Sequence, residues 1–152
     1  MSTLTFRRAT EADLVAIIAL LADDVLGAFR ESRMPQDFIL YRQAFAEIDA
    51  DPNQLLAVAE EAGWIVGTLQ LSFIPGLALR GTRRGQIEAV RVASDRRGGG
   101  LGQAMIEWAI GECRARGCAL VQLTTDKGRA DAHRFYEKLG FEPSHVGYKL
   151  RL

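Results

Sequence analysis

The sequence predicts an α+β domain, a mixed and mostly antiparallel central sheet flanked by helices, in the order β-α-α-β-β-β-α-β-α-β. Three observations lead there. Two strand-like runs in mid-chain, Gln54–Glu61 and Trp64–Ile74, meet at Ala62-Gly63, a hairpin signal. A further strand, Gln86–Ala93, feeds a glycine-rich turn and then a long helix, Leu101–Arg116. A strand, Ala119–Thr125, a helix, Ala130–Leu139, and a last strand, His145–Leu152, complete the chain.

Each element has a local reason. Leu4–Arg8 reads as a short first strand. Thr10 and Asp13 resemble a capping box, after which Leu14, Ile17, Ile18 and Leu21 recur at helical spacing. The second helix, Asp37–Asp49, places Phe38, Tyr41, Phe45 and Ile48 on one face, and Asp51-Pro52-Asn53 stops it. Pro75-Gly76 closes the strand before it, and Leu77–Gly85 reads as a loop. Leu101, Met105, Trp108 and Ala109 give the long helix an apolar face, with Gly117 as its C-terminal stop. Gly140 ends the following helix in the same way.

The chain has 152 residues, 48% of them hydrophobic and 25% charged, which suits one globular domain over residues 1–152. Nineteen basic and nineteen acidic side chains cancel, so the basic surplus of a typical nucleic-acid binder is missing. Cys113 and Cys118 lack redox or zinc spacing and read as thiols in a reducing compartment, with no metal expected. The N-terminus has no apolar signal core. The longest apolar stretch, Leu14–Ala22, is about half of a membrane span. The expectation is a cytoplasmic protein without membrane partners.

The sharpest signal is Arg97-Gly98-Gly99-Gly100-Leu101-Gly102, set directly between a strand and a helix. Glycines expose backbone N–H groups and permit positive φ. The helix start adds unpaired donors and the positive end of its dipole. Together these suit a phosphate or pyrophosphate. Three glycines can also be no more than a tight connection, but the strand-glycine-helix order is what phosphate binding requires. A Walker loop needs a Gly-Lys pair that is missing here, and a dinucleotide fingerprint fails at Gln103 or Met105, depending on where it starts.

Arg97-x-x-Gly100-x-Gly102 resembles the coenzyme A pyrophosphate signature of the GNAT (Gcn5-related N-acetyltransferase) superfamily. The element order resembles that family along nearly the whole chain, and Arg129-Ala-Asp-Ala-His-Arg-Phe-Tyr-Glu-Lys-Leu-Gly-Phe141 is similar to its later motif. The resemblance implies acetyl-CoA as acyl donor and a primary amine as acceptor. It further implies that backbone amides of Arg97, Gly98, Gly99, Gly100, Leu101, Gly102 and Gln103 hold the pyrophosphate. The backbones of Val90 and Val92 would pair with the pantetheine arm while their side chains fill the core.

Acetyl transfer needs a held cofactor, a neutral amine, a stabilised oxyanion and a proton for the departing thiolate. Ile87 and Val90 cannot face one side of an unbroken strand, so a bulge near Glu88-Ala89 is expected. The resemblance makes Tyr136 the general acid, although Phe135 and Tyr136 also sit at core spacing. Glu88 is the best candidate base, with a surface carboxylate as the plain alternative; His133 and His145 are weaker. Many family members carry asparagine where this chain has Asp131, so Asp131 is either a cofactor contact or a helix N-cap.

Two rival readings use the same residues: a non-catalytic acyl-CoA sensor of this fold, and a transcription-associated binding module. By resemblance Phe29, Arg30, Glu31, Arg33 and Tyr41 fall in the region that shapes the amine pocket. Many family members pair, so a homodimer is a possible partner state.

Overall fold

The computed structural model describes residues 2–152. Five strands form one sheet in the order β1-β2-β3-β4-β5: Leu4–Arg8, Gln54–Glu61, Trp64–Ile74, Arg84–Val92 and Leu120–Leu123. The first three junctions are antiparallel and β4–β5 is parallel, the mixed sheet the sequence predicts. The β2–β3 hairpin turns on Ala62 and Gly63, both at positive φ, which matches the twist of the flanking strands.

Side-chain alternation splits the core in two. Leu55, Ala57 and Ala59 of β2 face the long helix α4, Leu101–Ala115, together with Leu71, Phe73 and Ile87. Val58, between them in sequence, faces helices α1 (Leu14–Ala22) and α3 (Phe38–Ala50) through Leu14, Ile17 and Phe45. Helix α4 lies close on the sheet because Gly67 and Gly85 lack side chains. A Cβ at Gly67 would meet the Met105 sulfur at 2.6 Å, and one at Gly85 the Cys113 sulfur at 2.3 Å. Cys113 is fully buried, and burial, with some help from Cys118, pushes its thiol up to about 11. Both cysteines are free. Helix α5, Ala130–Lys138, packs Phe135 and Tyr136 against the α4 side of this core.

The entry to α1 carries the predicted capping box of Thr10 and Asp13. The Asp13 carboxylate accepts the Thr10 N–H at 2.8 Å, and the Thr10 hydroxyl donates to that same carboxylate at 3.1 Å. Arg7 of β1 grips Asp13 through two nitrogens, at 2.8 and 3.0 Å, and reaches Glu60 of β2 at 2.8 Å. The Arg7 hydrogen bond holds the Asp13 carboxyl below the ordinary 3.8, against the opposing effect of burial. Its contribution to stability is therefore complete above that value and is lost as pH falls through the lower, folded-state value. Asp13→Asn is expected to cost about 1–3 kcal/mol at neutral pH, towards the lower end because the Arg7 side chain is 38% exposed. It should also flatten the acid side of the stability profile, read from urea midpoints over a pH series.

Three departures from the sequence reading follow. A short helix, α2 (Gly27–Arg30), forms where none was expected. Within the Leu77–Gly85 loop, Leu79 and Arg80 adopt left-handed backbone in a single turn. The predicted strand His145–Leu152 is not formed, since none of these residues joins a ladder. Their alternation is that of a strand, but a strand needs an edge, and the chain leaves the sheet instead. No helix among the described residues is long and apolar enough to cross a membrane.

Candidate active site

The site begins where two parallel strands part. Pairing between β4 and β5 runs from Arg84–Leu120 only to Ile87–Leu123, while β4 continues alone on that side to Val92. A bulge marks the parting. Thr68 opposes Arg91 and Gln70 opposes Glu88, so Leu69 of β3 faces both Ala89 and Val90. Ala89 takes a φ of 52°, a costly conformation for an L-residue. This is the interruption that the Ile87/Val90 register demanded.

The bulge settles which backbone groups are free. The Ala93 N–H points to β3, donating to Val66 O at 2.9 Å. By alternation, the N–H and C=O groups of Val92 and Val90 point the other way, into the gap. Among the described residues their carbonyls receive arginine donors, Arg97 Nε to Val92 O at 3.2 Å and Arg91 Nη1 to Val90 O at 2.9 Å. Both valine side chains meanwhile pack on the main core.

At the end of β4 the chain makes a 3₁₀ turn, Ser94–Arg96, then the glycine turn into α4. Gly98 and Gly100 have φ of 79° and 85°, and a Cβ on either would project into open space. The main-chain N–H groups of Gly98, Gly99, Gly100, Leu101, Gly102 and Gln103 have no acceptor among the described residues; the first helical bond here is Ala104 N–H to Gly100 O at 3.1 Å. The Arg97 N–H differs, being turned to Ser94 O at 3.5 Å. Six consecutive open donors at the positive end of a helix are an anion cradle. Gly102 brings this first turn against α5, its Cβ direction meeting the Phe135 ring at 3.5 Å.

Tyr136 follows Phe135 on α5. Its ring is edge-on to Phe135 and Phe141, with centroids 5.1 and 5.9 Å away. Its hydroxyl makes no hydrogen bond among the described residues and is not sealed from solvent. Burial raises the phenol above the ordinary value of 10, and the positive charges of Arg129 and Arg91 only partly offset this. The group is a fixed, protonated and unengaged O–H.

Glu88 directly precedes the bulge, exposed, opposite Gln70, with no ion pair among the described residues. Asp131 is neither buried nor a cap. Arg129 takes the N-cap position of α5, and the Asp131 side chain is 96% exposed and paired with Arg134. The N-cap alternative is thereby corrected: the helix starts two residues earlier than that role requires. His133 Nε2 lies 2.9 Å from Asp126 O, and His145 Nδ1 lies 2.7 Å from the Ser144 hydroxyl. Of the five residues expected near an amine pocket, Tyr41 and Glu31 come together, with Tyr41 donating to Glu31 at 2.8 Å, while Phe29 is 88% exposed. A cavity of about 170 Å³ between α1, α3 and the sheet is lined by Tyr41, Thr68, Gln70 and Ala89, among others.

Sequence reasoning missed two aspartates. Asp23 and Asp24, just after α1, fasten that loop to the end of β4 and to the first residue of the glycine turn. The Arg97 guanidinium donates to Asp23 O at 2.9 Å, and Arg91 Nε lies 3.3 Å from an Asp24 oxygen, though out of line for a hydrogen bond. Burial raises the Asp24 carboxyl, but the Gly27 amide and the charges of Arg91, Arg129 and Arg30 outweigh it and hold it low. No local pattern could have shown this, because the partners lie far along the chain.

The sequence profile described as "Acetyltransferase (GNAT) family" matches residues 17–141, a span that includes the bulge, the glycine turn and Tyr136. The chain belongs to the GNAT acetyltransferase family. Among its GNAT relatives, the aminoalkylphosphonate N-acetyltransferase of Salmonella typhimurium (strain LT2) is 30% identical over 148 residues, covering 97% of this chain and 91% of the relative. A crystal structure from Bacillus halodurans C-125, described as a transcriptional regulator, is 48% identical with a TM-score of 0.95, covering 99% of this chain and 100% of that one. A putative acetyltransferase from Agrobacterium tumefaciens str. C58 is 29% identical with a TM-score of 0.85, over 97% and 99% of the two chains.

Proposed function

We propose that this single domain, residues 1–152, transfers the acetyl group of acetyl-CoA to a primary amine by direct attack within a ternary complex. The observation that carries the reading is the run of open main-chain donors from Gly98 to Gln103 at the mouth of the β4–β5 gap. Six N–H groups without acceptors among the described residues, with open space above Gly98 and Gly100, fit a diphosphate. The free edge of Val90 and Val92 fits an amide-bearing arm that adds as a strand would.

Bound acetyl-CoA supplies an acyl thioester carbon that a neutral amine can attack. The residues of the chain do the rest. The glycine turn and the valine edge position the thioester in the gap, converting an encounter into an oriented pair. Glu88, the open carboxylate at the bulge, takes the ammonium proton directly or through water. The Tyr136 O–H, protonated well past neutral pH, gives a proton to the departing sulfur. Asp131 has a weaker claim as a contact to the pantetheine arm, because its side chain is turned to solvent beside Arg134.

Free-thiol release from acetyl-CoA tests the reading directly, with a panel of aminoalkylphosphonates, aminoglycosides, polyamines and peptide amines. Amine-dependent release is expected with at least one class. Glu88→Gln should lower kcat/KM roughly 10²-fold, the low end of the range for a general base because an exposed site also admits water as a relay. The deficit should shrink as pH rises and the amine becomes neutral unaided.

The description of the Bacillus halodurans relative as a transcriptional regulator favours a second reading, an acyl-CoA-binding domain that reports cofactor level. That reading keeps the cradle and discards the proton transfers. Tight coenzyme A binding with no thiol release across the whole panel would select it.

A further inference from the structure

Three guanidinium groups gather at the Tyr136 end of the β4–β5 gap, and the carboxylates beside them do not balance them. Ile87, Val90 and Val92 turn to the α4 side of the sheet, so alternation puts Glu88 and Arg91 on the opposite face, one on each side of the bulge. Arg91 is the most enclosed of the three arginines, its side chain 13% exposed. Its Nη1 donates to Val90 O, and its Nε faces Asp24 out of line for a hydrogen bond. Asp24 is a divided partner, because its carboxylate also accepts the Gly27 N–H. The Arg91 Nη2 makes no hydrogen bond among the described residues and is not sealed from solvent.

Arg129 and Arg30 reach the same place from distant parts of the chain. Arg129 stands exposed at the start of α5, its side chain without a hydrogen bond or ion pair among the described residues. Arg30 ends α2, and its Nε donates to Leu26 O at 3.2 Å. The charges of Arg129 and Arg91 bear on the Tyr136 phenol, and those of Arg129 and Arg30 bear on Arg91. Burial pushes the Arg91 guanidinium below its ordinary value; Asp24 opposes this, and the two neighbouring arginines add to it. The other carboxylate in reach, Glu31, already accepts the Tyr41 hydroxyl. In a chain whose charges cancel as a whole, this is a local positive excess, partly out of water, and an anion is what would complete it. The diphosphate is not that anion, since its donors lie at Gly98 to Gln103 while the cluster surrounds Tyr136.

We propose that Arg91, with Arg129 and Arg30 beside it, binds an anionic group of the acceptor, so that the acetylated amine is one end of a zwitterion whose other end is a phosphate, phosphonate or carboxylate. The inference rests on the acetyl-transfer reading and adds its substrate class. Glu88 and Arg91 lie three residues apart on one strand, at most roughly 10 Å, so one short molecule reaches both. Its ammonium end meets Glu88, and its anionic end meets a forked guanidinium that binds such oxygens in pairs. The same field repels polycations.

Thiol release with four amines of matched length tests it: 3-aminopropyl phosphate, 4-aminobutyrate, butylamine and 1,4-diaminobutane. At least one anionic amine should exceed butylamine by roughly 10- to 100-fold in kcat/KM, with diaminobutane below it. Which anionic amine leads tells phosphoryl from carboxylate recognition. Arg91→Gln and Arg129→Gln should each shrink the anionic-to-neutral ratio by roughly fivefold or more, while calorimetric affinity for coenzyme A holds. Arg129→Gln changes an exposed side chain without a partner, so its result cannot be laid to misfolding. Calorimetric titration of the coenzyme A complex with the same amines separates this inference from the reading beneath it. Arg91-dependent binding of an anionic amine without thiol release keeps the anion site and removes the transfer. Equal rates and equal binding across the four amines, a preference for diaminobutane, or arginine variants that weaken coenzyme A itself overturn the proposal.

Discussion

Tyr136→Phe is expected to slow thiol release from acetyl-CoA by roughly 10²- to 10⁴-fold, the range of a lost general acid, while coenzyme A affinity stays unchanged. The substitution removes one oxygen and nothing else. The ring keeps its edge-on contacts with Phe135 and Phe141, so α5 has no reason to move. The hydroxyl has no hydrogen-bond partner among the described residues, so its loss leaves no buried donor or acceptor stranded. A fall in kcat with intact cofactor binding and intact thermal stability thus isolates proton transfer. Because burial raises the phenol above 10, the wild-type enzyme should hold its activity past the ordinary phenol range before this group titrates. Equal turnover by wild type and variant would remove Tyr136 from the chemistry and leave it a core residue.

Gly99→Asp is expected to weaken coenzyme A binding by about 10- to 100-fold while the fold survives. Position 99 is the informative one of the three glycines. Gly98 and Gly100 sit at positive φ, where any side chain adds backbone strain of about 1–2 kcal/mol and confuses the result. Gly99 has ordinary backbone, and a Cβ there meets only Arg96 O at 3.5 Å, a normal contact. Aspartate then sets a negative charge within the cradle. Two unit charges about 5 Å apart repel by roughly 3 kcal/mol at the effective dielectric of a protein surface, an upper bound that screening by water and salt brings down into the stated range of about 1.4–2.8 kcal/mol. Calorimetric titration with coenzyme A measures it, and Gly99→Ala, nearly silent, separates charge from bulk. An unchanged affinity in the aspartate variant would mean that the diphosphate lies elsewhere.

Much of this architecture was legible along the chain. Hydrophobic spacing announced α1 and located α3 and α4 to within one residue, because each buries one face and a helix repeats that face locally. The bulge could be inferred from register alone, since Ile87 and Val90 both reach the core and period two forbids it. The glycine turn was visible because glycine is a statement about the backbone itself. Asp131 was misread in its capping role because the helix starts at Ala130, where its spacing already placed it, and that start puts Arg129 at the cap and Asp131 in the first turn.

By itself, then, the sequence determined whatever depends on neighbours a few residues apart: the order of the five strands and of the longer helices between them, the open donors at the start of α4, and the placing of Tyr136 one residue after Phe135. Only the tertiary structure decided what depends on distant partners. Asp23 and Asp24 meet Arg97 and Arg91 across some seventy residues of chain, a closeness no local pattern encodes. His145–Leu152 carries every local mark of a strand, yet pairing requires an edge within reach, and the path of the chain past Thr124 withholds it.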